Sequence, residues 1–123
     1  MKFLWVALAG AAGAVTRYAI GLAVGVSEFP WATLGINVSG SLLLGFVLTF
    51  ATERRLSPEL ATAVTVGFLG AYTTFSTMAV ETVTLVKDGR ALLGIAYLCF
   101  SIGAGLAAAY AGIMSGRKPT TRC

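Results

Sequence analysis

The run Gly67-Phe68-Leu69-Gly70-Ala71-Tyr72-Thr73-Thr74-Phe75-Ser76-Thr77-Met78 decides how this chain is read. It lies in the middle of a long apolar stretch, yet Gly67 and Gly70 are followed at once by the hydroxyls of Thr73, Thr74, Ser76 and Thr77. Glycine weakens a helix, and Ser and Thr offer the backbone competing hydrogen bonds. Backbone that leaves the helical pattern at membrane depth survives only where protein or a water-filled cavity covers it. The segment is therefore expected to break in mid-membrane, near Gly70, and the break to be the working site.

Working outward, the chain has 123 residues, 57% hydrophobic and 11% charged, with no histidine. A soluble domain carries about a quarter charged residues. A chain this apolar cannot hide its side chains inside a small globule, so the bilayer is its solvent. The net charge of +4 does not point to nucleic acid. Lys2, Arg54, Arg55, Lys87, Arg90, Arg117, Lys118 and Arg122 sit at segment ends, as interfacial anchors do, and only Arg17 stands inside a segment. Cys99 and Cys123 have no partner at metal-ligand spacing and make no disulfide framework, which leaves a core thiol and a tail thiol. The first apolar stretch runs too long for a cleaved signal peptide. With no nucleophile beside a base and no metal-ligand cluster, enzyme chemistry is not expected.

A spanning helix needs about 20 mostly apolar residues. Four stretches qualify, at about 3–26, 31–52, 60–86 and 91–114, joined by short connections that carry Pro30, Pro58 and Gly89. Almost nothing lies outside them, so residues 1–123 form one four-helix transmembrane domain.

Each span carries its own polar exception. In the first, Gly13, Arg17, Gly21 and Gly25 recur at i+4 and share a face, and Gly21-x-x-x-Gly25 fits close helix packing. A guanidinium this deep costs a few kcal/mol in lipid, so Arg17 must snorkel, pair or line water. In the second, Asn37 and Ser41 lie one turn apart, and Asn37 is either interhelical glue or a pore-lining donor. The third, as one straight helix, would reach about 40 Å against a hydrocarbon core near 30 Å, an excess that either tilt or a break absorbs. Glu81 follows as a mid-span functional carboxylate or as a hydrogen-bonding partner of another helix. In the fourth, Tyr97 and Ser101 make a polar stripe that is a helix contact or a pore wall. With the N-terminus inside and the tail set aside, Lys2, Arg54 and Arg55 oppose Lys87 and Arg90, a bias weak enough to permit insertion both ways.

Gly10-x-x-Gly13-Ala14-x-x-Arg17-Tyr18, then Gly35-x-Asn37-x-x-Gly40, then Gly67-Phe68-x-Gly70-x-x-Thr73-Thr74-Phe75-Ser76-Thr77 together resemble the small bacterial fluoride channels called Fluc or CrcB. The resemblance covers essentially the whole chain. It implies an all-α integral membrane fold in the bacterial cytoplasmic (inner) membrane, with the third of four helices broken. Two copies pair antiparallel as a dual-topology homodimer with two pores, in contact with membrane lipid. It further implies one structural sodium ion (Na+) at the dimer centre, held by the main-chain carbonyls of Gly70 and Thr73. Fluoride would pass Asn37, the ring edge of Phe75, the hydroxyls of Ser76 and Thr77, and the polar track of Tyr97 and Ser101, with Arg17 in the vestibule. Where the family has a second pore phenylalanine this chain has Met78, and Ala71 stands where a glycine is common. No nucleic acid or protein substrate is implied. The alternative with the same four-span plan, a small multidrug or cation exporter, wants a membrane carboxylate early in the first span, where this chain has Arg17 instead.

Overall fold

The computed structural model describes residues 2–54 and 56–117. Arg55, Lys118, Arg122 and the tail thiol of Cys123 lie outside the described residues. Among those described, every regular element is helical.

Helix α1 (Lys2–Val24) and helix α2 (Trp31–Arg54) are unbroken spans. The first stops two residues before the boundary expected from hydropathy, because Gly25 turns left-handed with φ 74°. The third span, Pro58–Lys87, is composite. It opens with α3 (Pro58–Thr62), where Ser57 accepts the Leu60 amide and Pro58 fills the first turn. It widens into a π-helical segment, Ala63–Leu69, returns to α4 (Gly70–Tyr72), and after an interruption resumes as α5 (Phe75–Lys87). Its end is a Schellman cap: the Arg90 amide reaches Leu85 O at 2.9 Å, the Gly89 amide reaches Val86 O at 3.1 Å, and Gly89 takes φ 77°. Helix α6 (Ala91–Gly116) is the fourth span. Each of the four spans is long and apolar enough to cross a bilayer, and the chain is a multi-pass membrane protein.

Short connections reverse the direction at each step, so the bundle has two ends. The distal end carries residues 25–30 and 88–90; the proximal end carries the start of α1 and the end of α6. Backbones approach closely at several glycines, Gly94 of α6 against Thr82 O of α5 among them. A Cβ on Gly13 would collide with the carbonyl of Phe68, which seats α1 on the π-helical segment. A Cβ on Gly45 or Gly112 would strike the carbonyl of Ala109 or Leu42, which locks α2 to α6. The Gly21-x-x-x-Gly25 pair packs against nothing: no described atom lies within 4 Å of where a Cβ would sit on either. Cys99, expected in the core, is exposed on the outer surface of α6.

One apolar cluster joins Leu34, Met78, Leu85 and Tyr97, and a second joins Ile36, Leu69 and Tyr72. The first encloses the distal half of the third span and the second the proximal half. The interruption lies between them.

Candidate functional site

The interruption falls at Thr73 and Thr74. Thr73 leaves the helix with ψ 156°, and Thr74 is extended at φ −149°, ψ 120°. Gly70, where the break was expected, keeps right-handed helical angles of φ −63° and ψ −33°. A glycine permits a departure from the helix; a competing partner is what causes one. That partner is Asn37 on α2. The Thr74 amide donates to Asn37 Oδ1 at 2.8 Å, and Asn37 Nδ2 donates to Thr74 O at 2.9 Å. The side-chain amide thus replaces the helical partner of the Thr74 amide and adds a second donor to its carbonyl, which as N-cap also accepts the first bond of the next helix. Thr74 then starts the next helix as its N-cap, its Oγ1 accepting the Thr77 amide at 3.1 Å.

Four carbonyls, those of residues 70 to 73, lose the helical donors of residues 74 to 77, and the new partners of two of those donors are defined. In a continuous helix Gly70 O would accept from the Thr74 amide and Thr73 O from the Thr77 amide. Those amides go instead to Asn37 and to Thr74 Oγ1.

Beside the interruption lies a cavity of about 390 Å³ lined in part by Asn37, Thr73, Thr74, Phe75, Met78 and Ser101, with Gly70 at its edge. No charged side chain lines it. The hydroxyl of Ser101 is buried and has no hydrogen-bond partner among the described residues. Phe75 is 72% exposed, so its ring stands free at the surface of the subunit. Met78 is the opposite, 5% exposed and packed with Leu34, Leu85 and Tyr97, so it borders the cavity as part of the core.

A larger cavity of about 780 Å³ opens at the distal end. Arg17 lines it, with no hydrogen bond or ion pair to a described residue, alongside Thr33, Thr77 and Glu81. Glu81 accepts from Thr33 Oγ1 and from Tyr97 Oη, each at 2.7 Å. Glu81 is thus the hydrogen-bonding partner of other helices, tying α2 and α6 to α5, and it also lines the distal cavity. At the rim Arg90 approaches Glu28 at 3.5 Å, an exposed ion pair. Thr74 lines both cavities.

The expected site residues thus separate into groups. Asn37, Gly70, Thr73, Phe75, Met78 and Ser101 come together at the central cavity, while Arg17 and Thr77 belong to the distal one. Ser76 is exposed, its hydroxyl 3.3 Å from Thr74 Oγ1, and lines neither. Tyr97 is 1% exposed and buries its hydroxyl against Glu81, so its stripe with Ser101 divides, one hydroxyl in the core and one at the cavity. Thr33 and Thr74 carry parts the sequence did not single out. Thr74 was legible as an N-cap, a hydroxyl three residues before Thr77 at a helix start; Thr33 gives no such signal.

The arrangement offers hydrogen-bond donors and displaced carbonyls in an uncharged chamber, and a separate distal cavity lined by the Arg17 guanidinium. Residues 4–113 match the family model described as CrcB-like protein, Camphor Resistance (CrcB). The chain is 45% identical over 108 residues to a protein of Desulfitobacterium hafniense named fluoride-specific ion channel FluC 1, covering 86% of this chain and 95% of that one. It is 42% identical over 121 residues to the fluoride-specific ion channel FluC of Magnetococcus marinus, covering 95% and 98%. It is 46% identical over 116 residues to FluC 2 of Geobacillus kaustophilus, covering 91% and 90%.

Proposed function

The chain belongs to the CrcB family, and from that premise we propose that it is a channel through which fluoride leaves the cell down its gradient. The observation that carries the proposal within the fold is the interruption of the third span, held by Asn37 beside an uncharged cavity that Asn37, Phe75 and Ser101 line. Fluoride is small and strongly hydrated, so a dehydrated path must return hydrogen bonds to it. A hydrogen bond to a charged group is worth about 1.5–3 kcal/mol, and an unpartnered donor gives it without breaking a bond of the fold. The Asn37 carboxamide is held by Thr74 and presents a second Nδ2 hydrogen. The exposed Phe75 ring has a positive edge, which suits an anion. Ser76 and Thr77 hydroxyls extend the donors toward the distal side, and Arg17 raises the local anion concentration there by its field. Tyr97 acts through Glu81 and not by direct contact with the ion.

The working unit we propose is an antiparallel homodimer in the bacterial inner membrane, surrounded by lipid, in which the exposed Phe75 of one copy faces its partner. Gly70 and Thr73 fit the sodium site: both carbonyls lie at the interruption with their helical donors diverted, and hard cations prefer oxygen ligands. When bound, the ion supplies a fixed positive charge at the dimer centre. No catalytic step enters, no nucleic acid or protein substrate is required, and no cation exporter is needed to explain the polar groups.

The test is anion efflux from liposomes holding purified protein, followed with fluoride and chloride electrodes. Fluoride should leave and chloride should stay. Chloride leaving as fast as fluoride would overturn the proposal.

A further inference from the structure

Three consecutive residues at the interruption are each met by a residue of α2. Tyr72 meets Ser39, Thr73 meets Gly40, and Thr74 meets Asn37. Ser39 Oγ already donates to Ile36 O at 3.1 Å, so the Tyr72 hydroxyl donates to Ser39 Oγ at 2.9 Å. The Tyr72 ring is buried and stacked on Phe68, with centroids 5.8 Å apart. Thr73 is held within its own span at two atoms: its amide and its Oγ1 both donate to Leu69 O, at 3.0 and 2.9 Å. With Oγ1 so placed, the Cγ2 methyl lies against Gly40. A Cβ on the buried Gly40 would collide with that methyl and stand 3.2 Å from Tyr72 Cδ1.

The peptide between Thr73 and Thr74 is therefore gripped on both sides by α2. Its N–H points at Asn37 Oδ1, 2.8 Å away. In a planar trans peptide the C=O and N–H point opposite ways, so Thr73 O is turned away from α2. We propose that Gly40 is a positioning residue of the channel, whose missing side chain seats the Thr73 methyl and thereby fixes the direction of Thr73 O. The proposal rests on the fluoride-channel function and on the sodium site at Gly70 and Thr73. A methyl added at position 40 has two ways to be accommodated. Turning the stiff, β-branched Thr73 side chain would give up its hydroxyl bond to Leu69 O and leave the contact with Tyr72 unrelieved. Moving the 73–74 peptide off α2 relieves both contacts, and it swings the carbonyl. The second is the one expected, and it weakens the hold on a cation without touching a ligand.

The experiment follows melting of the purified protein as sodium chloride replaces choline chloride at constant ionic strength, together with fluoride efflux from liposomes. A cation that binds only the folded channel raises its melting temperature, and the concentration giving half of that rise reports the site. Gly40→Ala should raise that concentration about ten- to a hundred-fold and slow efflux by a similar factor. Thr73→Ser keeps the hydroxyl and removes the colliding methyl. Added to Gly40→Ala, it should return both readouts to those of Thr73→Ser alone. Thr73→Val keeps the methyl and should rescue neither. Leu34→Ala, a cavity in the apolar core, should melt lower in every medium while its half-rise concentration stays that of the parent. If Gly40→Ala alone does not fold, the same rescue is read as recovered folding. A Gly40→Ala chain with the parent's sodium response, or one that Thr73→Ser does not rescue, would overturn the role of Gly40. Where the parent passes fluoride and retains chloride, such a failure leaves the channel function standing. A parent that passes no fluoride removes the channel function, one whose melting ignores sodium removes the sodium site, and the role of Gly40 falls with either.

Discussion

Ser101 and Met78 sit at the same cavity and invite opposite experiments. The Ser101 hydroxyl has no partner in the fold, so removing it takes nothing from the packing and relieves a buried unsatisfied group. Ser101→Ala should leave thermal unfolding in detergent unchanged or raise it by up to about 1 kcal/mol, while fluoride efflux falls about ten-fold. A loss of stability in step with the loss of flux would make Ser101 a structural residue. Met78 has the reverse character. At 5% exposed it is closely surrounded by Leu34, Leu85 and Tyr97. Met78→Phe, which would restore the ring the family motif leads one to expect, should overpack that cluster and destabilise by about 1–3 kcal/mol. Met78→Leu keeps the volume and should cost less than about 1.5 kcal/mol. If the phenylalanine variant melts no lower than the parent, the pocket has room that this packing denies. The methionine therefore belongs to a core built for it, a fact invisible in a motif that records only which residue type stands at a position.

At the scale of the element, the interrupted third span is held open from outside itself. Asn37 on α2 takes both main-chain groups of Thr74, and Thr74 in turn caps α5. Asn37→Ala would strand the buried Thr74 amide and remove the second donor to its carbonyl, and should lower stability by about 1–3 kcal/mol while cutting flux. Asn37→Asp keeps the acceptor for the Thr74 amide and loses the donor, so it should fall between Ala and the parent in thermal unfolding. Equal melting of all three would detach Asn37 from the interruption. The spans themselves were legible, because length and apolar content set them, and the hydroxyl cluster marked the third as the unusual one. Placing the break at Gly70 followed from propensity, which is local. The actual break at Thr73 and Thr74 is set by a contact with α2, a residue distant in sequence, and no local rule contains it. The same holds for Glu81, whose two hydroxyl partners come from α2 and α6. Arg17 was legible as an anomaly because a charge inside a span stands out from any background.

For the whole molecule, the balance of charges at its two ends carries the consequence. The distal end presents Lys87 and Arg90, and Arg90 is engaged with Glu28 across the rim. The proximal end presents Arg54, whose guanidinium lies 5.4 Å from the Phe50 ring centroid, and Arg117. Positive charge near the ends of short loops decides which end stays in the cytoplasm, and here, with the tail set aside, Lys2, Arg54 and Arg55 against Lys87 and Arg90 make only a weak bias. An antiparallel pair needs both orientations from one sequence. Replacing Lys87 and Arg90 with Gln should drive nearly all copies to one orientation, with the proximal end inside, as read by labelling of cysteines placed at either end. The ion pair with Glu28 is exposed and worth no more than about 1 kcal/mol, so the fold should survive its loss. Fluoride efflux from cells making only this variant should collapse. Co-expression with a second variant in which Lys2, Arg54, Arg55, Arg117, Lys118 and Arg122 are Gln, biased the other way, should restore it. Full efflux from copies held in one orientation would show that the working unit is not antiparallel. The exposed Phe75 ring would then face lipid or a parallel neighbour.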